Sequence, residues 1–359
     1  MTLISILIPC YQEADFIEGC LSSIVAFETP PAVELEILIL DGMSTDGTRK
    51  TVARFSERDD RVRLVDNPGR TQSKAMNLGI DIASGDFLMR LDAHSVYPPD
   101  YLRLTYETAL RTGAHNTGGV VATLPRGEGY QASLVQALTT HRFGVGDSSF
   151  RTDATEGETD TVPYGFFKRE IFERVGFFDE RLLRAQDYEM NRRIGASGGK
   201  VWINPAIQVR YFQQPDLPTF IRKQIVHEAP YNAYMWYVAP YAFALRHAVT
   251  GVFSAGVIGG ALLALAWPPA WKVYLAIAGL YLLLAIGSSI QQAVRYREGR
   301  HVVVLPVAFF LYHFLHGVGV LAGLGRLLVG SAPVQRLQEP WPGAGRKRAW
   351  PFARSERSI

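Results

Sequence analysis

Cysteine is scarce in this 359-residue chain: Cys10 and Cys20 are the only two. Two thiols ten residues apart, with no histidine near them in sequence, exclude a disulfide-stapled module and fit a metal cluster poorly. The expectation is two reduced, packed side chains. Charge is also limited, at 20% against 48% hydrophobic residues, which excludes a disordered chain. No basic stretch precedes the first apolar run, Leu3 to Ile8, and that run is too short for a signal peptide, so the chain is expected to begin in the cytosol. Acidic residues nearly vanish from the last third. From Ala248 onward 11 Lys and Arg face three acids, Glu298, Glu339 and Glu356, a balance of +8 that leaves −5 for residues 1–247 within the overall +3. The basic tail is short, and anionic lipid headgroups account for it more simply than nucleic acid, which is not expected as a partner.

Long uncharged runs, by contrast, are present. Residues 248–267 and 273–290 contain no charge, and each approaches the ~20 residues that cross a ~30 Å hydrocarbon layer. Pro268-Pro269 between them predicts a tight helical hairpin, with Trp267, Trp271 and Tyr274 at the interface. A third run, 302–325, carries Pro306, His313, His316 and glycines at 317, 319, 323 and 325. It is long enough to span and irregular enough to re-enter. Positive-inside counting puts Arg295, Arg297 and Arg300 in the cytosol, as two crossings require. The tail's Arg336, Arg346, Lys347, Arg348, Arg354 and Arg357 also belong inside, whereas three crossings would put them outside. Four parts follow: a cytosolic domain over 1–225, an interfacial segment rich in aromatics over 226–247, a membrane region over 248–330 and a basic flexible tail over 331–359. The polar stretch between Arg126 and Thr161 is expected to be a flexible loop near the donor or acceptor.

The first domain reads as α/β. Apolar runs Leu3 to Ile8, Leu35 to Leu40, Val62 to Val65 and Phe87 to Leu91 alternate with helix-like stretches, as in a mostly parallel sheet flanked by helices. Ligands of such sheets sit beyond the carboxyl ends of the strands. Three strands end in acid-bearing turns: Tyr11-Gln12-Glu13, Asp41 and Asp92-Ala93-His94. Asp46 fits a helix cap. Clustered carboxylates repel unless a cation or donor joins them, and a divalent metal with a diphosphate would supply that partner. Asp92 and His94, one residue apart, are the candidate ligands; Mg²⁺ needs few protein ligands and imidazole leans toward Mn²⁺.

These residues resemble the inverting family 2 glycosyltransferases of GT-A fold. Pro9-Cys10-Tyr11-Gln12-Glu13 is similar to the family's Pro-x-Tyr-Asn-Glu, Asp41-Gly42-Met43-Ser44-Thr45-Asp46-Gly47-Thr48 to its second motif, Asp92-Ala93-His94 to its Asp-x-Asp, and Gln186-Asp187 to its Glu-Asp. The flanks Asn67-Pro68-Gly69-Arg70 and Arg90 to Tyr101 resemble the succinoglycan-type exopolysaccharide transferases. The resemblance implies a donor site of Pro9, Tyr11, Glu13, Asp41, Arg70, Lys74 and Asp92, with Asp41 facing the base, and a Mn or Mg ion on Asp92 and His94. Asp187 is the implied base that deprotonates the acceptor hydroxyl during inversion. Gly176-Phe177-Phe178-Asp179-Glu180 resembles the lead-in to that site, and Val162 to Gly165 an acceptor-side strand. The implied enzyme is a multi-pass protein of the inner (plasma) membrane. Its implied partners are a nucleotide-sugar donor, probed first as a UDP-sugar, a polyprenyl-diphosphate-linked saccharide acceptor, membrane lipid and other exopolysaccharide assembly proteins.

Three other functions compete. A polyprenyl-phosphate sugar synthase shares the catalytic motifs but not the flanks. A non-catalytic membrane scaffold or nucleotide-sugar sensor is disfavoured by an intact Asp187. A processive synthase is disfavoured because its Gln-x-x-Arg-Trp motif is absent, Gln208-Val209-Arg210-Tyr211 being the nearest approach.

Overall fold

A computed structural model of the protein describes residues 1–146, 148–152 and 154–334. The tail's basic residues lie outside the described residues. Eight strands form one sheet in the order β3-β2-β1-β4-β7-β5-β8-β6. They are β1 (Thr2–Cys10), β2 (Val33–Asp41), β3 (Val62–Asp66), β4 (Phe87–Arg90), β5 (Asn116–Leu124), β6 (Gly157–Glu158), β7 (Phe166–Lys168) and β8 (Val201–Phe212). Strands β1 to β4 are mutually parallel, β7 runs antiparallel between β4 and β5, and β5 pairs in parallel with β8.

Strand β1 shows why its run is apolar on both faces. Ile4, Ile6 and Ile8 pack on the side of helix α1 (Ile17–Val25), whereas Leu7 packs on the other side with Met76 and Ile80 of α3 (Gln72–Ile82). Helix α2 (Thr48–Ser56) follows β2; α4 (Tyr101–Thr112), α5 (Tyr130–Thr139), α6 (Arg142–Val145), α7 (Glu170–Val175) and α8 (Gln186–Ala196) complete the catalytic unit. Asp46 accepts hydrogen bonds from the Thr48 N–H (3.1 Å) and hydroxyl (2.6 Å) and from the Ala14 N–H (3.0 Å), but the N-cap position itself is Gly47 without a side-chain cap bond, so Asp46 braces the turn before α2 rather than capping the helix. Cys10 and Cys20 are free and buried.

Two expectations are corrected here. The stretch from Arg126 is not wholly a flexible loop: Leu134, Val135, Ala137 and Leu138 of α5 are buried against Leu305, Ala308 and Phe309 of the third apolar run. Its polar flanks concealed an apolar helix face. Val162 to Gly165 is not a strand but the turn leading into β7, with Tyr164 at φ 58°.

The remainder is helical: α9 (Leu217–Lys223), a π-turn (Gln224–Glu228), α10 (Ala229–Val238), α11 (Leu245–Ala266), α12 (Ala270–Tyr296) and α13 (His301–Leu328). The last three are long and apolar enough to cross a membrane. α13 is one continuous helix through Pro306, without the break a re-entrant loop needs. α9, the π-turn and α10 run beside it, and close packing depends on small residues. A Cβ on Gly317 would meet the Thr250 carbonyl, one on Gly319 would lie 2.8 Å from Ala229 Cβ, and one on Gly323 would lie 2.8 Å from the Pro230 carbonyl. The aromatic segment is packed in part: Tyr234 is buried and Tyr241 donates a hydrogen bond to Glu189 of α8, while Tyr237 and Phe243 remain exposed.

Candidate active site

Because β1, β2 and β4 are parallel, their carboxyl ends open on one edge of the sheet. A cavity of about 690 Å³ lies there. Pro9, Tyr11, Glu13, Arg70, Asp92, His94 and Asp187 all line it, although they come from four separate stretches of chain. Several turns that present them contain non-glycine residues in the left-handed region: Gln12 (φ 57°), Met43 (66°), Arg70 (54°) and Ala185 (62°). Such residues cost of order 1–3 kcal/mol each and persist where the surrounding structure imposes them, often at functional sites.

Asp187 stands in the first turn of α8, where the helix dipole favours a carboxylate. Its Oδ2 accepts from Arg90 Nη1 at 2.8 Å, and Arg90 Nη2 donates to Asp92 Oδ1 at 2.6 Å. The Arg90 side chain is only 7% exposed, so one buried guanidinium joins the two carboxylates. Enclosure raises the Asp187 pKa above the ordinary carboxylate value; Arg90 opposes the rise and Asp92 adds to it. The Asp92 turn is pinned by Tyr97, whose hydroxyl accepts from the Asp92 N–H (2.8 Å) and donates to the Asp92 carbonyl (3.1 Å). His94 Nδ1 lies 3.2 Å from Glu13 Oε1, and that hydrogen bond raises the imidazole pKa against the opposing effect of burial.

Two of the expected donor residues stand outside the cavity wall. Asp41 is fully buried beneath it; its Oδ2 accepts from the Ser44 N–H (2.9 Å) and Arg49 Nη1 (2.7 Å), and Arg49 also binds Asp66. Its Oδ1 has no partner among the described residues. Lys74 is exposed on α3, with its stem beside Gly69.

Among the described residues no group of three His, Cys, Asp or Glu side chains forms a metal cluster. Asp92 has one oxygen engaged by Arg90, and His94 one nitrogen near Glu13. One remaining donor atom on each fits a Mg or Mn ion that draws its other ligands from diphosphate and water.

Residues 5–176 match the model for Glycosyl transferase family 2. The chain carries a family 2 glycosyltransferase domain. It is 34% identical over 214 residues to the succinoglycan biosynthesis protein ExoA of Rhizobium meliloti (strain 1021), a match spanning 59% of this chain and 64%, just under two thirds, of that protein. Over 341 residues it is 26% identical to a dolichyl N-acetyl-alpha-D-glucosaminyl phosphate 3-beta-D-2,3-diacetamido-2,3-dideoxy-beta-D-glucuronosyltransferase of Methanococcus voltae, covering 90% of this chain and 98% of that one. In fold it is similar to a mannosyltransferase of Pyrobaculum calidifontis solved with GDP-Man and Mn²⁺: the TM-score is 0.54 at 21% identity, with 90% of this chain and 86% of that chain covered.

The cavity and its surroundings also contain residues given no role from sequence. Arg90 is foremost; a charged residue closing the short buried strand β4 was the available signal. The side-chain amides of Gln186 and Gln72 lie 2.6 Å apart, which ties the start of α8 to α3. Tyr211, Lys223, His227 and Tyr231 enter the wall from β8, α9, the π-turn and α10, too far along the chain for any local pattern to predict.

Proposed function

We propose that the protein transfers a single sugar, with inversion, from a nucleotide sugar of the UDP class to a polyprenyl-diphosphate-linked saccharide during exopolysaccharide synthesis at the cytosolic face of the plasma membrane. The observation that supports this most strongly is Asp187 in one cavity with Glu13, Asp92 and His94, tied to Asp92 through Arg90. In the reaction the acceptor hydroxyl attacks the sugar C1 and gives its proton to Asp187, while the bond from C1 to the diphosphate oxygen breaks on the opposite face. The proton then passes to water. Enclosure makes Asp187 a stronger base than an exposed carboxylate. Asp92 and His94 would hold a divalent ion, which when bound supplies Lewis-acid stabilisation of the leaving diphosphate. Glu13, Tyr11 and Arg70 would hold the nucleotide, while Asp41, fully buried beneath the wall, would support the turn that carries them through Ser44 and Arg49.

The named role of the Rhizobium relative in succinoglycan biosynthesis, and the lipid-phosphate saccharide in the Methanococcus relative's name, support this acceptor class. For the membrane arrangement we favour two crossings, α11 and α12, with α13 lying along the catalytic unit.

The test uses membranes containing the protein, radiolabelled nucleotide sugars with Mn²⁺ or Mg²⁺, and analysis of the organic-extractable product. The wild-type protein should label an extended lipid-linked saccharide, and Asp187→Asn should reduce transfer about 10²-fold or more. Equal transfer by the variant sinks the base assignment. Label in a single-sugar lipid would favour a polyprenyl-phosphate sugar synthase, whose catalytic motifs this chain shares.

A further inference from the structure

A second cavity, of about 800 Å³, lies between the catalytic unit and the apolar helices. Its walls share Ala185, Tyr211, Lys223 and Glu228 with the first cavity, so the two adjoin two residues from Asp187. The chemistry of the walls changes from one part to another. Arg142, Arg151, Lys223 and Arg246 contribute positive charge, against Glu228 as the one acid in the described wall. Glu228 is already drawn toward Arg184 (3.7 Å), and Arg246 pairs with Asp160 (2.7 Å). Arg151 has no carboxylate partner among the described residues; its guanidinium lies 5.6 Å from the centre of the Tyr211 ring. His247 adds a buried Nδ1 with no hydrogen-bond partner among the described residues.

Arg246 and His247 stand at the start of α11, and beyond them the wall formed by the apolar helices turns mostly apolar, with Thr250 and His316 among its polar members. Val249 and Phe253 of α11, Tyr281 of α12 and Tyr312 of α13 line it. His313 is already satisfied there, between the Tyr281 hydroxyl (2.9 Å) and the Gly144 carbonyl (3.2 Å). A free anion would use only the basic wall and an uncharged lipid only the apolar one. A ligand with a phosphate head and a hydrocarbon tail uses both.

We infer that this second cavity is the acceptor site, which holds the phosphate or diphosphate of a polyprenyl carrier on Arg151, Lys223 and Arg246 and the first part of its chain against Phe253 and Tyr281. The inference rests on the transferase reading and deepens it. It gives the shared wall at Ala185 a purpose: a saccharide attached to the anchored phosphate passes from the second cavity toward Asp187 in the first.

The full chain in phosphatidylcholine nanodiscs is titrated calorimetrically with farnesyl diphosphate, inorganic diphosphate, farnesol and, separately, UDP. Farnesyl diphosphate should bind more tightly than either inorganic diphosphate or farnesol. Arg151→Ala should weaken it about tenfold or more, and Arg151→Lys less. Phe253→Trp, which narrows the apolar wall, should weaken farnesyl diphosphate and leave inorganic diphosphate unchanged. UDP binding should persist in all three variants, since neither Arg151 nor Phe253 lines the first cavity. Inorganic diphosphate binding as tightly as the prenyl ligand would overturn the inference in favour of a simple anion site. Unchanged farnesyl diphosphate affinity in both Arg151 variants would overturn it as well. Failure of the transferase reading looks different: no nucleotide sugar releases its nucleotide on addition of membrane extract, whatever the prenyl ligand does.

Discussion

Arg90 puts a full positive charge at the end of a strand whose other residues, Phe87, Leu88 and Met89, are apolar and buried. Its two carboxylate partners are the residues proposed for opposite sides of the reaction, Asp92 for the donor and Asp187 for the acceptor. Clustered acids at the strand ends were expected to need a cation, and the fold itself supplies one. Arg90→Gln leaves both carboxylates without their ion pair, which should lower stability by about 3 kcal/mol, as for other broken buried pairs. It should also change the pH dependence. Arg90 lowers the Asp187 pKa, so its loss raises that pKa further. Transfer needs the ionised base, so activity falls as pH drops through the Asp187 pKa, and in the variant this acid limb should move to higher pH. The check is a transfer rate measured against pH in both proteins, alongside thermal unfolding. An unmoved limb would mean that Arg90 does not act on Asp187.

Among the elements, α13 depends most on its small residues. Gly319→Val would force a branched side chain into the Ile225 carbonyl and Ala229, an overpacking cost of about 1–3 kcal/mol. Gly325→Val, with nothing within 4 Å of its Cβ, should be nearly neutral. Thermal unfolding of the two variants in detergent separates these outcomes. The glycines of this helix were visible in the sequence, as were strands β1 to β4: the runs of β1, β2 and β4 are mostly apolar and buried on both faces, and the half-exposed β3 was marked by Val62, Leu64 and Val65. Strands β5 to β8 were not. β5 opens on Asn116-Thr117-Gly118-Gly119, β8 is interrupted by Asn204-Pro205, and β6 and β7 contain only two and three residues. Their existence depends on partners far along the chain, such as Met89 opposite Phe166. The candidate site divides in the same way. Residues in short motifs were legible, whereas the Arg90–Asp187 link spans 97 positions and no local pattern encodes it.

For the whole molecule, α13 decides how the catalytic unit meets its surroundings. Near its start, His301 lies 3.2 Å from the Ser133 hydroxyl of α5; toward its end, Gly323 packs on Pro230 of α10. α11 and α12 expose long rows of Leu, Val and Ile, and α13, which packs on both of them as well, exposes Val303, Val307, Leu311 and Leu328 on its free side. Two crossings with α13 held along the catalytic unit put Arg295, Arg297, Arg300 and the basic tail on one side, as the positive-inside rule asks. Ser331→Cys gives a direct test, because Cys10 and Cys20 are both buried. A membrane-impermeant maleimide should label it in inverted vesicles and not in intact cells; the reverse result would make α13 a third crossing. The wall shared by the two cavities has one more consequence. If the carrier's phosphate is fixed at one end and the reacting carbon at the other, the distance between them acts as a gauge. An acceptor fits only when its hydroxyl reaches that distance, and the product, one sugar longer, overshoots it. With the acceptor bound as proposed, rigid spacing of this kind would stop the enzyme after one addition and give it a single step in building a repeat, without any sensor of chain length.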